Sequence, residues 1–380
     1  MKTAVSAGDA IDPRLRAAGA RRAVGAEPGF TDNNFTPLRL LLALLVVFGH
    51  FQLLAGVAHP SWPFEYASAA VDCFFVVSGY LVSNSFDRDP NFGRFYIRRL
   101  FRIYPLYLAV VVAQTVILGC LETGGDTGRS LLRYFMVNAV FANFLQYDVG
   151  NGVLNGLVNP SLNPSLWTLK IEFGFYLLLP FLWRAVERWG AGALAAIFAV
   201  SAAYYWTWTA VGQAELARQL PGQLQFFVLG IAAYWYRRFL PLGLVGGVLL
   251  TGALAVLLTA LLHSHPPVVY PLVVGALVVV AALATPRIRL RHDISYGVYL
   301  LHGPVIQLSL LLGVYRSGWT GLLATIALVI PLAHVCERLV EAPGIALGRR
   351  LGRWIGRAAG PAGRTAAPEA AVPPPRPAEV

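Results

Sequence analysis

The chain has 380 residues, of which 57% are hydrophobic and only 13% are charged, whereas soluble domains carry about 25% charged residues. Apolar runs of roughly 18–22 residues recur along its length, so we predict an all-α polytopic membrane protein. The net charge of +11 does not indicate nucleic acid as a partner, because the arginines cluster in short segments between apolar runs, as in cytoplasmic loops. The three cysteines show no metal-ligand spacing, and no metal site is predicted.

Ten apolar segments predict about ten transmembrane helices around a polar cavity. They cover residues 38–57, 69–86, 103–121, 166–183, 191–211, 222–236, 240–262, 266–285, 294–313 and 318–338. A weaker apolar stretch, 131–147, raises the question of an eleventh crossing. With a cytoplasmic N-terminus and ten spans every basic cluster lies inside, whereas eleven spans move the clusters at 237–238 and 287–291 outside. We therefore expect an external loop at 122–165, in which 131–147 is re-entrant or interfacial; a crossing there is the alternative.

Three regions follow from this pattern. Residues 1–34 are polar and are predicted to form a disordered cytoplasmic segment. Residues 35–340 form the membrane domain, and residues 341–380 form a Pro/Ala-rich, disordered cytoplasmic tail. Both termini are thus expected in the cytoplasm.

Four ionisable residues inside the predicted helices are candidates for a functional site, because a charge is costly there. His50 follows Arg39 by eleven positions, so a rise of ~1.5 Å per residue places it ~16 Å from the cytoplasmic end. His302 reaches ~13 Å on a later helix, whereas Glu172 and Asp72 enter from the outside. One polar cavity containing all four is the arrangement that we expect. The structural alternatives are carbonyl hydrogen bonds for the histidines, a local ion pair for Glu172 and helix capping for Asp72.

A second group of charges lies in the segment RRLFRIYPLY, at the cytoplasmic edge of the third predicted helix. Arg98 and Arg102 share a helix face, and Arg99 lies beside them. Together with Arg39, these guanidinium groups suit the phosphates of a cytosolic ligand, which arginine binds bidentately. Ordinary anchoring by positive charge at the cytoplasmic interface is the alternative.

Two further motifs carry small polar side chains. The external loop ends with NPSLNPSLWTL, where Asn163, Ser165 and Trp167 offer hydrogen bonds and a stacking face to a sugar. Trp is also common at membrane interfaces without such a role. Ser78 and Gly79, in FFVVSGYL, indicate close packing of helices rather than a nucleophile, because the GxSxG elbow is absent.

Together these segments resemble the acyltransferase 3 family of bacterial integral membrane proteins. The matching pieces, in order, are Arg39-x10-His50, FFVVSGYL at 74–81, RRLFRIYPLY at 98–107, SLWTLKIEFGFYLLLP at 165–180 and SYGVYLLHGPV at 295–305. The resemblance implies a ten-helix core that transfers acyl groups, usually acetyl, from cytosolic acyl-CoA to extracytoplasmic carbohydrate such as O-antigen, exopolysaccharide, peptidoglycan or glycolipid. Some members carry a fused SGNH esterase-like domain, which we do not expect here, so a partner protein or direct transfer takes its place.

The resemblance also implies roles for individual residues. Arg39 and His50 match the family's essential pair, and Arg98 and Arg102 match its RxxR-type motif. Glu172 matches the acid that follows SLW. His50 is then expected to deprotonate the acceptor or to take the acyl group transiently. Glu172, or less favourably Asp72, would orient its imidazole as the third group of a triad does, and His302 would assist.

The predicted function is a membrane-embedded O-acyltransferase that uses acetyl-CoA as co-substrate, in the bacterial cytoplasmic (inner) membrane. Its expected partners are the lipid bilayer, acyl-CoA and a carbohydrate or glycolipid acceptor, with a periplasmic partner protein or a homo-oligomer left open. The alternative is a proton-coupled transporter or exporter of a saccharide or lipid intermediate, in which the same charged groups form a proton relay. The lack of internal repeats counts against that alternative.

Overall fold

The computed structural model describes residues 33–56, 66–121, 127–147, 149, 154–237, 243–262, 264–314 and 318–358. These residues form helices joined by turns, and no strand occurs among them, which confirms the all-α class. Of the segments predicted to be disordered, 1–34 and 341–380, residues 1–32 and 359–380 lie outside this described part. The helices are α1 Phe35–Leu54, α2 Ala67–Arg88, α3 Phe92–Leu121, α4 Thr127–Ala139, α5 Leu166–Trp189, α6 Ala191–Ala210, α7 Ala214–Ala217, α8 Leu220–Trp235, α9 Leu244–Leu261, α10 Val269–Leu283, α11 Ser295–Leu311, α12 Trp319–Cys336 and α13 Ala342–Ala358, with a π-helical turn at Glu337–Glu341.

Seven of the described helices are long and apolar enough to cross a membrane. They are α1, α2, α3, α5, α6, α9 and the continuous helix Trp319–Ile355, which contains α12. The shorter helices α8, α10 and α11 lie on the three remaining predicted spans. Each predicted span therefore contains a helix, and the polytopic membrane class is confirmed, while ten crossings stay a prediction.

The helix α4 lies in the predicted external loop. Its 13 residues make a rod of about 20 Å, which is shorter than the ~30 Å hydrocarbon core. It packs along the second half of α3, where Tyr107 donates a hydrogen bond to the carbonyl of Asn138 (2.6 Å) and Tyr134 donates one to Gln114 (3.0 Å). A helix of this length, packed on α3, suits an interfacial segment rather than a further crossing.

The helices α2 and α8 cross at glycines. An added Cβ at Gly79 would lie 2.1 Å from the carbonyl oxygen of Phe227, and one at Gly230 would lie 2.1 Å from that of Val76. Only residues without a side chain let two backbones approach this closely. The packing role predicted for Gly79 is therefore confirmed, while the neighbouring Ser78 lines a cavity on another side of α2.

The helix α13 corrects the predicted tail, because Ala342–Ala358 is helical rather than disordered. Gly344 and Gly348 face Pro105 and Phe101 of α3, and an added Cβ at these glycines would lie 2.8 and 2.5 Å from those two side chains. Glycines four positions apart form one flat helix face, and α3 covers it. The prediction of disorder rests on the average composition of residues 341–380, which does not show the regular glycine spacing within Ala342–Ala358.

Candidate active site

Two histidines from different helices are in contact. His50 lies near the end of α1, and His302 lies in the middle of α11. Nδ1 of His50 is 2.7 Å from Nε2 of His302, and the His302 side chain is completely buried. The two residues thus share one layer of the bundle, as the helical rise predicts.

The second hydrogen bond of His302 determines where the protons of this pair lie. Its Nδ1 is 3.2 Å from the carbonyl oxygen of Val298, and because a carbonyl only accepts, Nδ1 carries the hydrogen. We assign the neutral tautomer of His302 from this network, and its Nε2 is then an acceptor. His50 consequently donates from Nδ1 and keeps a lone pair on Nε2. The pair presents one basic nitrogen, on His50, in an orientation that His302 sets.

Ser165 completes a triangle with the two histidines. Its Oγ lies 3.4 Å from Nδ1 of His50 and 3.3 Å from Nε2 of His302, and the residue is completely buried. The sequence predicts a sugar contact for Ser165, whereas the structure places its hydroxyl on the histidine pair. The segment before α5 therefore reaches into the bundle as far as the histidines.

The segment before α5 is anchored to α11 through a backbone carbonyl group that has no hydrogen-bond partner within α11. Pro304 has no N–H, so the carbonyl of Leu300, four residues earlier, lacks its helical partner. Asn163 donates from Nδ2 to that carbonyl (3.0 Å), and the Ser165 amide donates to Asn163 Oδ1 (3.2 Å). Gly303 permits the approach, because an added Cβ would lie 2.9 Å from Asn163 Oδ1. Residues 302–304 of α11 and residues 163–165 before α5 thus pack directly against each other.

The same contacts bear on the other two predicted sugar-binding residues. Asn163 is 3% exposed and uses both its amide nitrogen and its amide oxygen in the hydrogen bonds that hold α5 against α11. Trp167 is half-buried and packs against the core. Of this set, Trp167 alone keeps surface with which an acceptor could stack.

A cavity of about 230 Å³ lies between α1, α2, α3, α5 and α11. Its lining includes three arginines, one carboxylate, three serine or threonine residues and several aromatic rings: Arg39, Arg99, Arg102, Glu172, Ser78, Thr168, Ser295, Phe74, Phe75, Tyr176, Tyr296 and Tyr299. Thr168 lies one helical turn from Ser165, and Tyr299 lies one turn from His302, so these two hydroxyls mark the end next to the histidines. Arg39, ~16 Å from His50 along α1, marks the opposite end.

Asp293 holds two of the arginines side by side. It accepts hydrogen bonds from Arg39 and, at 3.1 Å, from Arg102. Burial raises the pKa of Asp293, but Arg39 and Arg102 outweigh this effect and hold that pKa below its usual value. Asp293 is not among the site residues predicted from the sequence. Its signal is the position two residues before Ser295, whose amide (3.3 Å) and hydroxyl (2.6 Å) both donate to it at the start of α11.

Arg98 and Arg99 are neighbours in sequence but have different surroundings. Arg98 lies 2.6 Å from Asp89, a carboxylate that also binds Arg94, and it is not part of the cavity lining. Arg99 lines the cavity, with its guanidinium carbon 5.7 Å from the ring centre of Tyr176. Within the described part of the chain no carboxylate forms an ion pair with Arg99, so this arginine is available to an anionic ligand.

Glu172 and Asp72 do not join the histidines. Glu172 lies seven residues along α5 from Ser165, about 10 Å away by helical rise, and accepts a hydrogen bond from Tyr176 (2.5 Å). Asp72 accepts one from Tyr270 of α10 (2.8 Å) and does not line the cavity. Of the four groups only Glu172 lines the cavity, so the expectation of one cavity holding all four is wrong. Glu172 is distant because α5 begins at the level of the histidines and runs away from them. Asp72 is elsewhere because the depth of a residue in the membrane does not determine which side of its helix it occupies.

Comparisons with known proteins agree on one family. The acyltransferase domain model Acyl_transf_3 matches residues 34–338. Nodulation protein 10 of Rhizobium leguminosarum bv. viciae is 29% identical over 83% of this chain and 94% of the relative. The O-acetyl transferase of Shigella phage Sf6 is 26% identical over 81% and 95%, and the peptidoglycan O-acetyltransferase OatA of Listeria monocytogenes is 24% identical over 80% and 54%. No solved structure matches the chain significantly.

Proposed function

Because the chain belongs to the acyltransferase 3 family, we propose that it is a membrane O-acyltransferase that moves an acetyl group from cytosolic acetyl-CoA to a carbohydrate hydroxyl on the far side of the membrane. The observation that carries the proposal is the contact between His50 and His302, which leaves Nε2 of His50 free to accept a proton. A positioned base of this kind is what the attack of a hydroxyl on a thioester requires.

The cavity supports a long donor with phosphates at one end. Arg39, Arg99 and Arg102 supply guanidinium groups, which bind phosphate oxygens bidentately. The thioester of acyl-CoA lies far from its phosphates, which agrees with the ~16 Å between Arg39 and His50. On the wall of the cavity, the hydroxyl of Ser78 has no hydrogen-bond partner among the described residues, so it suits an amide of the pantetheine chain.

In this proposal the proton moves through His50 alone. Its Nε2 takes the proton of the acceptor hydroxyl while the acceptor oxygen attacks the thioester carbonyl, and it then returns that proton to the departing CoA sulfur. His302 keeps His50 in the tautomer that has the lone pair on Nε2. Ser165 adds a hydrogen bond to the pair. In this proposal His302, and not Glu172, orients the imidazole of His50.

The relatives support acetyl as the group and an envelope or secreted carbohydrate as the acceptor. The phage protein is named an O-acetyl transferase, and the Listeria protein is named for peptidoglycan O-acetylation. The positive-inside bias puts the arginine end of the cavity in the cytoplasm, so the donor enters there and the acceptor enters from the opposite face. This arrangement requires a multi-pass protein of the bacterial cytoplasmic membrane.

Transfer of label by the purified protein in proteoliposomes tests the proposal. Acetyl-CoA with a radiolabelled acetyl group is supplied on one face, and a glycolipid and polysaccharide extract is supplied on the other. We expect label in the carbohydrate fraction, and none with His50→Ala. His334→Ala is the matched control, because it removes an imidazole that packs against His292 instead of the His50–His302 pair.

Two outcomes would contradict the proposal. One is a wild-type protein that folds in the vesicles and leaves acetyl-CoA unconsumed. The other is movement of saccharide across the membrane without acetylation, which would support the transporter alternative.

A further inference from the structure

Tyr299 lines the cavity between the arginine end and the histidine pair. It precedes His302 by one turn of α11, and the centres of the two rings are 6.0 Å apart. Its hydroxyl lies 2.8 Å from Oγ1 of Thr168, which in turn lies one turn along α5 from Ser165. These two hydroxyls are therefore the last polar groups of the cavity before the catalytic layer.

The direction of this hydrogen bond follows from Thr168. Oγ1 of Thr168 donates its one hydrogen to the carbonyl oxygen of Ser165 (3.0 Å), so it can only accept from Tyr299. The hydroxyl hydrogen of Tyr299 is thus held by a neutral acceptor on the cavity wall. Since a hydrogen bond to a charged oxygen is roughly twice as strong as a neutral one, an anion formed here would attract this hydrogen away from Thr168.

We propose that Tyr299 donates a hydrogen bond to the oxyanion that forms during acyl transfer, an inference that rests on the proposed function. When the acceptor oxygen bonds to the thioester carbon, its proton passes to Nε2 of His50 and the carbonyl π electrons pass to the carbonyl oxygen. Tyr299 donates to this oxygen and keeps its own proton. When the carbonyl forms again, the C–S bond breaks and the CoA sulfur takes the proton from His50.

Among the cavity-lining groups nearest the histidine pair, Tyr299 is the one whose hydroxyl hydrogen is held by a neutral side chain. From α2, the side chains of Phe74 and Phe75 line the cavity and are apolar. Thr168 has already given its hydrogen to the backbone. Donors fixed in a site from which water is excluded are among the largest contributions to catalysis, because they need no reorganisation when charge develops.

The ring of Tyr299 has a separate packing role, which makes a clean test possible. It meets Phe74 edge-on, with ring centres 5.6 Å apart, and the residue is buried. A phenylalanine at position 299 keeps these contacts and removes only the hydroxyl. A purely structural tyrosine would therefore tolerate the change.

Steady-state transfer kinetics of Tyr299→Phe in proteoliposomes measure the contribution of the hydroxyl. We expect kcat to fall about 100-fold to 1,000-fold, as for the loss of one oxyanion donor. The KM for acetyl-CoA should change less than about threefold, because the interaction exists only in the transition state. The matched control is Tyr96→Phe, which removes a hydroxyl that donates to the carbonyl of Leu177 outside the cavity (3.1 Å) and should keep wild-type kinetics.

The outcomes separate this inference from the proposed function. A kcat for Tyr299→Phe within about threefold of wild type, with His50→Ala inactive, overturns the role of Tyr299 alone. A wild-type protein that transfers no label overturns the proposed function itself. If Tyr299→Phe unfolds at a lower temperature, a fluorotyrosine incorporated at position 299 supplies a second measurement, since it keeps the shape and donates more strongly. Its kcat should equal or exceed that of wild type, and a value as low as that of the phenylalanine variant overturns the inference.

Discussion

Nε2 of His302 lies 2.7 Å from Nδ1 of His50, and the other ring nitrogen of His302 lies 3.2 Å from the carbonyl oxygen of Val298. This series of carbonyl, imidazole and imidazole orients a base as a carboxylate orients histidine in a hydrolytic triad. The difference is that His302 is neutral in the assigned tautomer. A neutral orienting group avoids the cost of a buried carboxylate within a membrane protein.

Replacement of His302 by Ala is expected to lower kcat by about 10²–10⁴, the range attributed to a positioned base. Nδ1 of His50 then keeps only its longer contact with the Ser165 hydroxyl (3.4 Å), which fixes the tautomer and the ring orientation less firmly. The KM for acetyl-CoA should stay near wild type. His302→Gln restores an acceptor oxygen and should retain more activity than His302→Ala. Kinetics in proteoliposomes, with thermal unfolding to verify the fold, measure both variants. Equal loss in the two would contradict an orienting role.

Arg99 and Arg98 are expected to respond differently to substitution by Gln. Arg99→Gln should raise the KM for acetyl-CoA about 10-fold to 100-fold, since a hydrogen bond to a charged group contributes about 1.5–3 kcal/mol. Arg98→Gln removes the ion pair with Asp89 outside the cavity and should lower the thermal stability with little effect on KM. A similar rise in KM for both would instead indicate a general effect of positive charge at this face.

Asp293→Asn tests the carboxylate that bridges Arg39 and Arg102. Burial raises the pKa of Asp293, but the two arginines outweigh it and the folded-state pKa is lowered. The stabilisation is therefore fully present above the unfolded-state pKa, about 3.9, and is lost as the pH falls through the lower folded-state pKa. At neutral pH we expect the variant to be less stable by about 1–3 kcal/mol.

Thermal unfolding of the wild type and of Asp293→Asn between about pH 8 and pH 3 measures this difference in stability. The gap between the two unfolding midpoints should be constant down to about pH 5 and should narrow below about pH 4. A gap that changes between pH 5 and pH 8 would mean that another group, and not the Asp293 carboxylate, governs the effect.

The sequence by itself determined where the membrane helices lie in the chain and how deep several ionisable side chains lie along them. Apolar runs define such helices because a backbone in lipid must satisfy its own hydrogen bonds, and each predicted span does contain a helix. The constant rise per residue put His50 and His302 in one layer, and they are in contact. The same arithmetic put Arg39 at the far end of α1, where it lines the cavity.

Only the tertiary structure decided which way each residue faces and which distant segments meet. Helices that are apolar on all sides carry little periodic signal, so the sequence cannot show that Asp72 faces Tyr270 or that Arg98 faces Asp89. The hydrogen bond from Asn163 to the carbonyl of Leu300 joins residues 137 positions apart, and it is what brings Ser165 to the histidines. Such contacts depend on the order in which helices pack around one another, which hydropathy and helical rise do not encode.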